Sequence, residues 1–304
     1  MTIQNLEKNV DLFKFTTLKS KSIAEYFFVA KTKQDLIDIY KLSITEKLPL
    51  TILGGGSNIA LISNLICGIV VKNAYIDKKI IDQADENVYY QVSSGYPTNK
   101  LVLETIDEGL SGLEYHLGLP GSIGGAIYMN SKWTNPLDYI GSHLEKAYVL
   151  TKEGEILERN QSYFNFAYDY SILQETKEIL LDIVFKFKRD DKERLIEIAN
   201  MSLEYRKKTQ PSGVFTSGCF FRNITDEEKK VRKLISNSSG YLIDQCGLKG
   251  YQVGDFEISN DHANFIINKG KGKPEDLAKL LNLIKSKVKQ KFNIDLREEV
   301  VLVN

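Results

Sequence analysis

Two short segments concentrate glycine between apolar flanks, and each is suited to bring main chain close to a ligand. The first is Gly54, Gly55, Gly56, Ser57 and Asn58, directly after the apolar run LTIL. Consecutive glycines reach backbone angles that other residues avoid, so successive N–H groups can converge on an anion such as a diphosphate. The second, residues 118–126, reads GLPGSIGGA and contains Gly118, Pro120, Gly121, Ser122, Gly124, Gly125 and Ala126. Pro120 fixes the backbone on entry, and the apolar flanks argue against a flexible linker. No Lys-Ser/Thr follows the first loop and neither is a GxGxxG that opens a helix, so the Walker and Rossmann patterns do not fit. One such loop is explained by a tight turn. Two in one chain suit a long ligand with a diphosphate and a flat ring.

Other chemistry-bearing residues are sparse. Cys67, Cys219 and Cys246 are far apart, as are His116, His143 and His262. They form neither a disulfide framework nor a zinc motif, so no metal is expected. Forty Lys+Arg balance forty Asp+Glu among 304 residues, which argues against a nucleic-acid partner. No run approaches the ~18–20 apolar residues of a membrane span, and the start, MTIQNLEKNVDLFKF, lacks a signal-peptide core. The expectation is a soluble cytoplasmic protein, a monomer or weak oligomer.

The elements that would position these residues alternate along the chain. Residues 24–30 read as a strand, 33–47 as a helix, 50–53 as a short strand and 88–94 as an alternating strand. Residues 99–110 read as a helix, 111–130 as a glycine-rich segment, and 146–151 and 178–187 as strands. A charged run at 188–194 precedes helices at 193–208, 238–246 and 275–291, the last opened by Pro274. A strand over 295–303 ends the chain. The class is α/β or α+β.

Taken in order, the motifs ILGGGSN, GLEYHLGLPGSIGGAIYMN, RKKTQP, SGCFFRN, SGYLIDQCGLKG, HANFIIN and LREEV resemble the UDP-N-acetylenolpyruvoylglucosamine reductase family from about residue 15 to 303. The resemblance implies an α+β fold. Its FAD-binding region would be of the vanillyl-alcohol-oxidase (PCMH) type, in two subdomains at 1–72 and 73–192. A substrate-binding domain would follow at 193–304. It also implies non-covalent FAD, NADPH as reductant and a UDP-sugar as substrate. FAD would be held by the two glycine loops and Asn130.

Conjugate addition of hydride to an enol ether that bears a carboxylate builds negative charge there, and the carbon beside it must then be protonated. A lone cysteine is ordinarily a small inert side chain. In the family's motif, however, Cys219 falls where a proton donor, more often serine, is found. A thiol, with a pKa of about 8.5, is the better donor of the two and is mostly protonated at neutral pH. Glu299 matches the glutamate that assists the proton transfer. In the strand over 295–303, Glu298 and Glu299 point to opposite faces, so only one can face the flavin, and the register favours Glu299. Arg206 and Gln210, in R-x3-Q-P, match substrate contacts of the family, as do Tyr168, Arg222 and Asn223.

The chain departs from the family at one charged position. Where a substrate-binding arginine is usual, the segment 166–171, FAYDYS, carries Asp169. An aspartate there would repel the charge that must be stabilised. Arg159 and Lys132 are the candidate replacements, Lys132 lying in a second atypical stretch after Asn130. Asp169 also motivates an alternative, a related FAD-dependent sugar or alcohol oxidase or dehydrogenase. A non-catalytic flavin-binding relative is the third reading.

Overall fold

The computed structural model describes residues 1–84 and 86–304. They form two compact units that interleave along the sequence. The first is Met1–Leu6, Phe28–Gly55 and Val71–Lys208; the second is Glu7–Phe27, Gly56–Val70 and Thr209–Asn304. The chain therefore passes between units inside the first glycine loop, from Gly55 to Gly56.

The first unit is built on an antiparallel six-stranded sheet. Its path is Ile156–Asn160, Leu144–Leu150, Ile179–Arg189, Asn87–Ser93 and Lys78–Gln83, with Leu110–Ser111 added at one end of Ile179–Arg189. Strand Ile179–Arg189, ILLDIVFKFKR, is buried from Ile179 through Phe185. It therefore reads as a nearly continuous apolar run rather than an alternating one. Helix Thr98–Asp107 sets Leu101, Val102 and Ile106 into the same core as Ile183, Phe185 and Phe187.

Helix Lys192–Thr209 presents Leu195 and Ala199 to this core, with Leu203 packed against it. That burial carries the first unit past the charged run at 188–194, as far as Lys208. The compact units do not follow the expected limits at 72 and 192.

The second unit contains the antiparallel sheet Gln252–Val253, Phe256–Ile258 and Ile266–Asn268. Helix Pro274–Phe292 packs Leu277, Leu281, Ile284 and Val288 into a core with Phe220, Phe221 and Phe256. Proline in its first turn, Glu275 and Asp276 beside it, and Lys289 and Lys291 in the last turn match the helix dipole.

Two elements differ from the sequence expectation. The segment 111–130 contains a helix, Ile123–Met129, capped by Ser122 and closed by Asn130 in the left-handed region. Two glycines within it hid the periodicity. The expected strand 295–303 forms a ladder at Val301–Val303, which runs parallel to Ile59–Leu61, and a separate antiparallel bridge of Glu298 with Phe221. Ahead of it, Arg222 N–H donates to Arg297 O (2.8 Å) and Glu299 N–H donates to Phe220 O (2.9 Å). These two bonds flank the Phe221–Glu298 bridge, so the segment changes pairing partner between Glu298 and Val301.

Candidate functional site

In the first unit the two glycine loops meet main chain to main chain. A Cβ on Gly55 would strike the backbone of Gly121, and one on Gly54 would strike the Ser122 hydroxyl. Residues 121–124 are themselves anchored. Thr98 N–H donates to Gly121 O (3.1 Å), Ile123 N–H to Tyr96 O (2.9 Å) and Gly124 N–H to Ser94 O (2.8 Å). Gly124 is needed because a side chain there would run into Ser94 at 2.8 Å. Lys72 donates to Gly54 O, and burial lowers its pKa. Ser122 Oγ accepts from Gly125 N–H, while Ala126 faces the core.

Asn130 is spent within the fold. Its amide donates to Ala167 O (3.0 Å) and accepts from Gly141 N–H (3.2 Å). It joins the end of the glycine-loop helix to the turn that carries Tyr168 and Asp169.

Arg206 lies on helix Lys192–Thr209 with its guanidinium 5.2 Å from the centre of the Trp133 ring. A Cβ at Gly118 would meet Arg206 Cδ, so this arginine borders the second loop. Its Nε and Nη2 are buried and have no hydrogen-bond partner among the described residues. Burial lowers its pKa. Two buried guanidinium nitrogens without a hydrogen-bond acceptor are costly unless water or a ligand supplies one. An anionic group bordering Gly118 would satisfy both nitrogens.

Asp169 is buried and adopts φ 51°, and its carboxylate lies 2.9 Å from Lys132 Nζ. Lys132 also sits 3.5 Å from the centre of the Tyr168 ring. The charge reversal at 169 is thus answered by a lysine 37 positions earlier in the chain. Arg159 is engaged elsewhere, 3.7 Å from Glu178 and stacked on Tyr163.

Sequence reading missed one cluster. His116 and His143, scattered in the chain, both reach Asp138 at 2.9 Å through Nε2. Burial would raise the Asp138 pKa, but the two histidine hydrogen bonds bring it down to about 2. The buried His116 is pushed below the usual histidine range by desolvation. Asp138 lies on the return strand of the hairpin Lys132–Thr134/Leu137–Tyr139, which sequence reading also missed. Among the described residues, no group of three or more His, Cys, Asp or Glu is placed to hold a metal ion. No helix there is long and apolar enough to cross a membrane.

In the second unit Gly218 adopts φ +80°, which favours glycine ahead of Cys219. Cys219 bridges Phe265 antiparallel, and the Asn264 side chain accepts from Phe221 N–H and donates to Phe221 O. Glu299 N–H donates to the carbonyl of Phe220, the residue after Cys219. The Asn58 amide donates to Glu299 O (3.2 Å). Glu298 is drawn to Lys285 in an ion pair. Asn223 Oδ1 accepts from Ser239 N–H, and Arg222 O accepts from the Ser239 hydroxyl. Gln210 is exposed just past the long helix. Gly56 has φ +68°, and its carbonyl accepts from Thr17 N–H.

Comparison with known proteins agrees with both halves of this geometry. A family model for an FAD-binding domain matches residues 24–160. The model described as UDP-N-acetylenolpyruvoylglucosamine reductase, C-terminal domain, matches residues 210–303. The reductase of that name from Bacillus pumilus (strain SAFR-032) is 33% identical over 298 residues, covering 97% of this chain and 93% of the relative. That of Bacillus subtilis (strain 168) is 31% identical with the same coverage. The crystal structure of the Thermus caldophilus reductase superposes with a TM-score of 0.80 at 27% identity, covering 99% of each chain. A vanillyl-alcohol-oxidase-type flavoprotein from Myceliophthora thermophila C1 shares the fold, with a TM-score of 0.50, 10% identity and 88% and 70% of the two chains covered. With a curated relative of one third identity along nearly its whole length, this chain belongs to the UDP-N-acetylenolpyruvoylglucosamine reductase family.

Proposed function

We propose that the chain is an FAD-dependent, NADPH-using reductase of UDP-N-acetylenolpyruvoylglucosamine, forming UDP-N-acetylmuramate for peptidoglycan synthesis. The observation that carries this reading is the backbone bond from Glu299 to Phe220, which sets the segments of Glu299 and Cys219 side by side. Residues 1–72 and 73–192 serve the flavin and 193–304 the substrate. The protein acts in the cytoplasm as a monomer or weak oligomer.

Bound FAD supplies the hydride exchange between the nicotinamide and the substrate's double bond. The loops at 54–58 and 118–126 hold it without a covalent link. Arg206 offers two buried nitrogens to an anionic group bordering Gly118. Cys219 donates the proton to the carbon beside the carboxylate. Glu299 orients that proton and the substrate carboxylate. Tyr168, Arg206, Gln210, Arg222 and Asn223 contribute to substrate binding.

The oxidase alternative drew its motive from an uncompensated Asp169. The ion pair with Lys132 removes that motive. The test is the visible spectrum of the purified protein. NADPH is expected to bleach the flavin bands and the UDP-sugar to restore them under nitrogen. No recovery with that UDP-sugar would defeat the proposal.

A further inference from the structure

The Lys132–Asp169 pair is hard to explain as a stabilising contact. Asp169 is buried, and its left-handed φ of 51° is strained for a residue with a side chain. The turn around it is fixed. Ala167 N–H donates to Tyr170 O and Tyr170 N–H to Ala167 O, while Gln174 Nε2 donates to Asp169 O (2.9 Å). Gln174 and Ser171 also bind Tyr128 O, on the glycine-loop helix. A strained, braced turn thus delivers one carboxylate to one lysine. Buried ion pairs seldom repay their desolvation in stability, so a role in positioning is the stronger account.

The ammonium has three N–H groups. One points to Asp169, the Tyr168 ring covers a second side, and 19% of the side chain remains exposed. The lysine is held but still reachable. It stands two residues beyond the Asn130 cap of the glycine-loop helix. The proposed substrate carries a carboxylate on the double bond to be reduced, and its negative charge grows as hydride arrives. Arg159 is engaged with Glu178.

We propose that Lys132, positioned by Asp169 and Tyr168, is the cation that receives the enolpyruvyl carboxylate of the substrate. The inference rests on the function proposed above. It assigns the lysine a partner that a purely structural ion pair would not have.

The test compares the UDP-sugar with its methyl ester, which lacks the carboxylate charge, in re-oxidising the NADPH-bleached holoprotein. Wild type is expected to favour the acid by about 100-fold in rate over KM. Lys132→Met is expected to reduce that preference to within about 5-fold, both substrates being compared on the same NADPH-bleached variant. Asp169→Asn keeps the cation but frees it, so a preference between the two values is expected. A Lys132→Met protein that retains the full preference overturns the proposal. If that variant does not hold flavin, Lys132→Gln is read by the same two outcomes. A wild type that the acid itself cannot re-oxidise would instead defeat the function, and this inference with it.

Discussion

Asn58, at the end of the first glycine loop, donates its side-chain amide to the carbonyl of Glu299, 241 residues later in the chain. Val301 N–H returns a bond to Asn58 O at 3.0 Å, and the parallel pairing of Val301–Val303 with Ile59–Leu61 follows at once. The loop thereby fixes the backbone of the glutamate proposed to assist protonation.

Removing that amide tests the arrangement. Asn58→Ala should cost about 1 kcal/mol in stability. It should slow re-oxidation by the UDP-sugar about 10- to 100-fold, because small misplacements of a catalytic group are expensive. Because Asn58 ends the loop proposed to hold FAD, the rate is read per bound flavin. Re-oxidation per bound flavin at the wild-type rate would show that the Asn58 bond does not position Glu299.

Cys219 and Glu299 separate by substitution. Cys219→Ala should lower single-turnover re-oxidation by about 100- to 10,000-fold, the usual range for losing a general acid. Cys219→Ser should recover part of that loss, since a hydroxyl occupies the same place as a weaker acid. Glu299→Gln should also slow the step without releasing flavin. Stopped-flow absorbance reads both half-reactions. A Cys219→Ala enzyme at wild-type speed would remove the thiol from the mechanism.

Much of this was legible in the sequence because it depends on local rules. Glycine at 54–56 and 118–125 reports close main-chain approach, and Pro274 with its following acids reports a helix start. The strand at 179–189 was legible as an apolar run. Lys132 was open only as one of two candidates to replace the family's arginine, and its pairing with Asp169 was not legible, since sequence cannot say which distant cation reaches a given turn. The convergence of His116 and His143 on Asp138 was invisible, because the hairpin that carries Asp138 holds only three residues in each strand. The ladder at the chain's end is shorter than the expected 295–303 for a similar reason, since a short strand takes its pairing from its neighbours rather than from its own alternation.

The contact between the loops predicts a graded response to methyl groups. Gly55→Ala places a Cβ against the Gly121 backbone, where neither chain can yield. It should destabilise the protein by about 1–3 kcal/mol and reduce the flavin-to-protein ratio. Gly154→Ala meets nothing within 4 Å, but its φ of +83° is strained for alanine. It should cost about 1–2 kcal/mol and leave flavin content unchanged. Thermal unfolding and the absorbance ratio of the purified variants distinguish the two. Equal flavin loss in both would show that the loop contact is not specific to the cofactor.

The Asp138 cluster predicts a loss of stability toward acid in two stages. His116, lying fully buried beside Asp138 with Arg206 also nearby, has its pKa lowered by desolvation. The unfolded chain therefore binds a proton at this histidine before the folded chain does. Stability is full above about pH 6.5 and falls as the pH drops below it. Asp138, held down to about 2, adds stability that is present above about pH 4 and is lost between there and about 2. His116→Gln keeps a donor toward Asp138 but cannot titrate, so its Tm should fall less than the wild-type Tm between pH 7 and pH 5. Asp138→Asn should cost about 2 kcal/mol at pH 7, the scale of hydrogen bonds to a charged group, and should lose the lower stage. Thermal melts at intervals from pH 7.5 to 3 read both effects. A His116→Gln melting profile parallel to wild type from pH 7 to 5 would assign the upper stage to other groups.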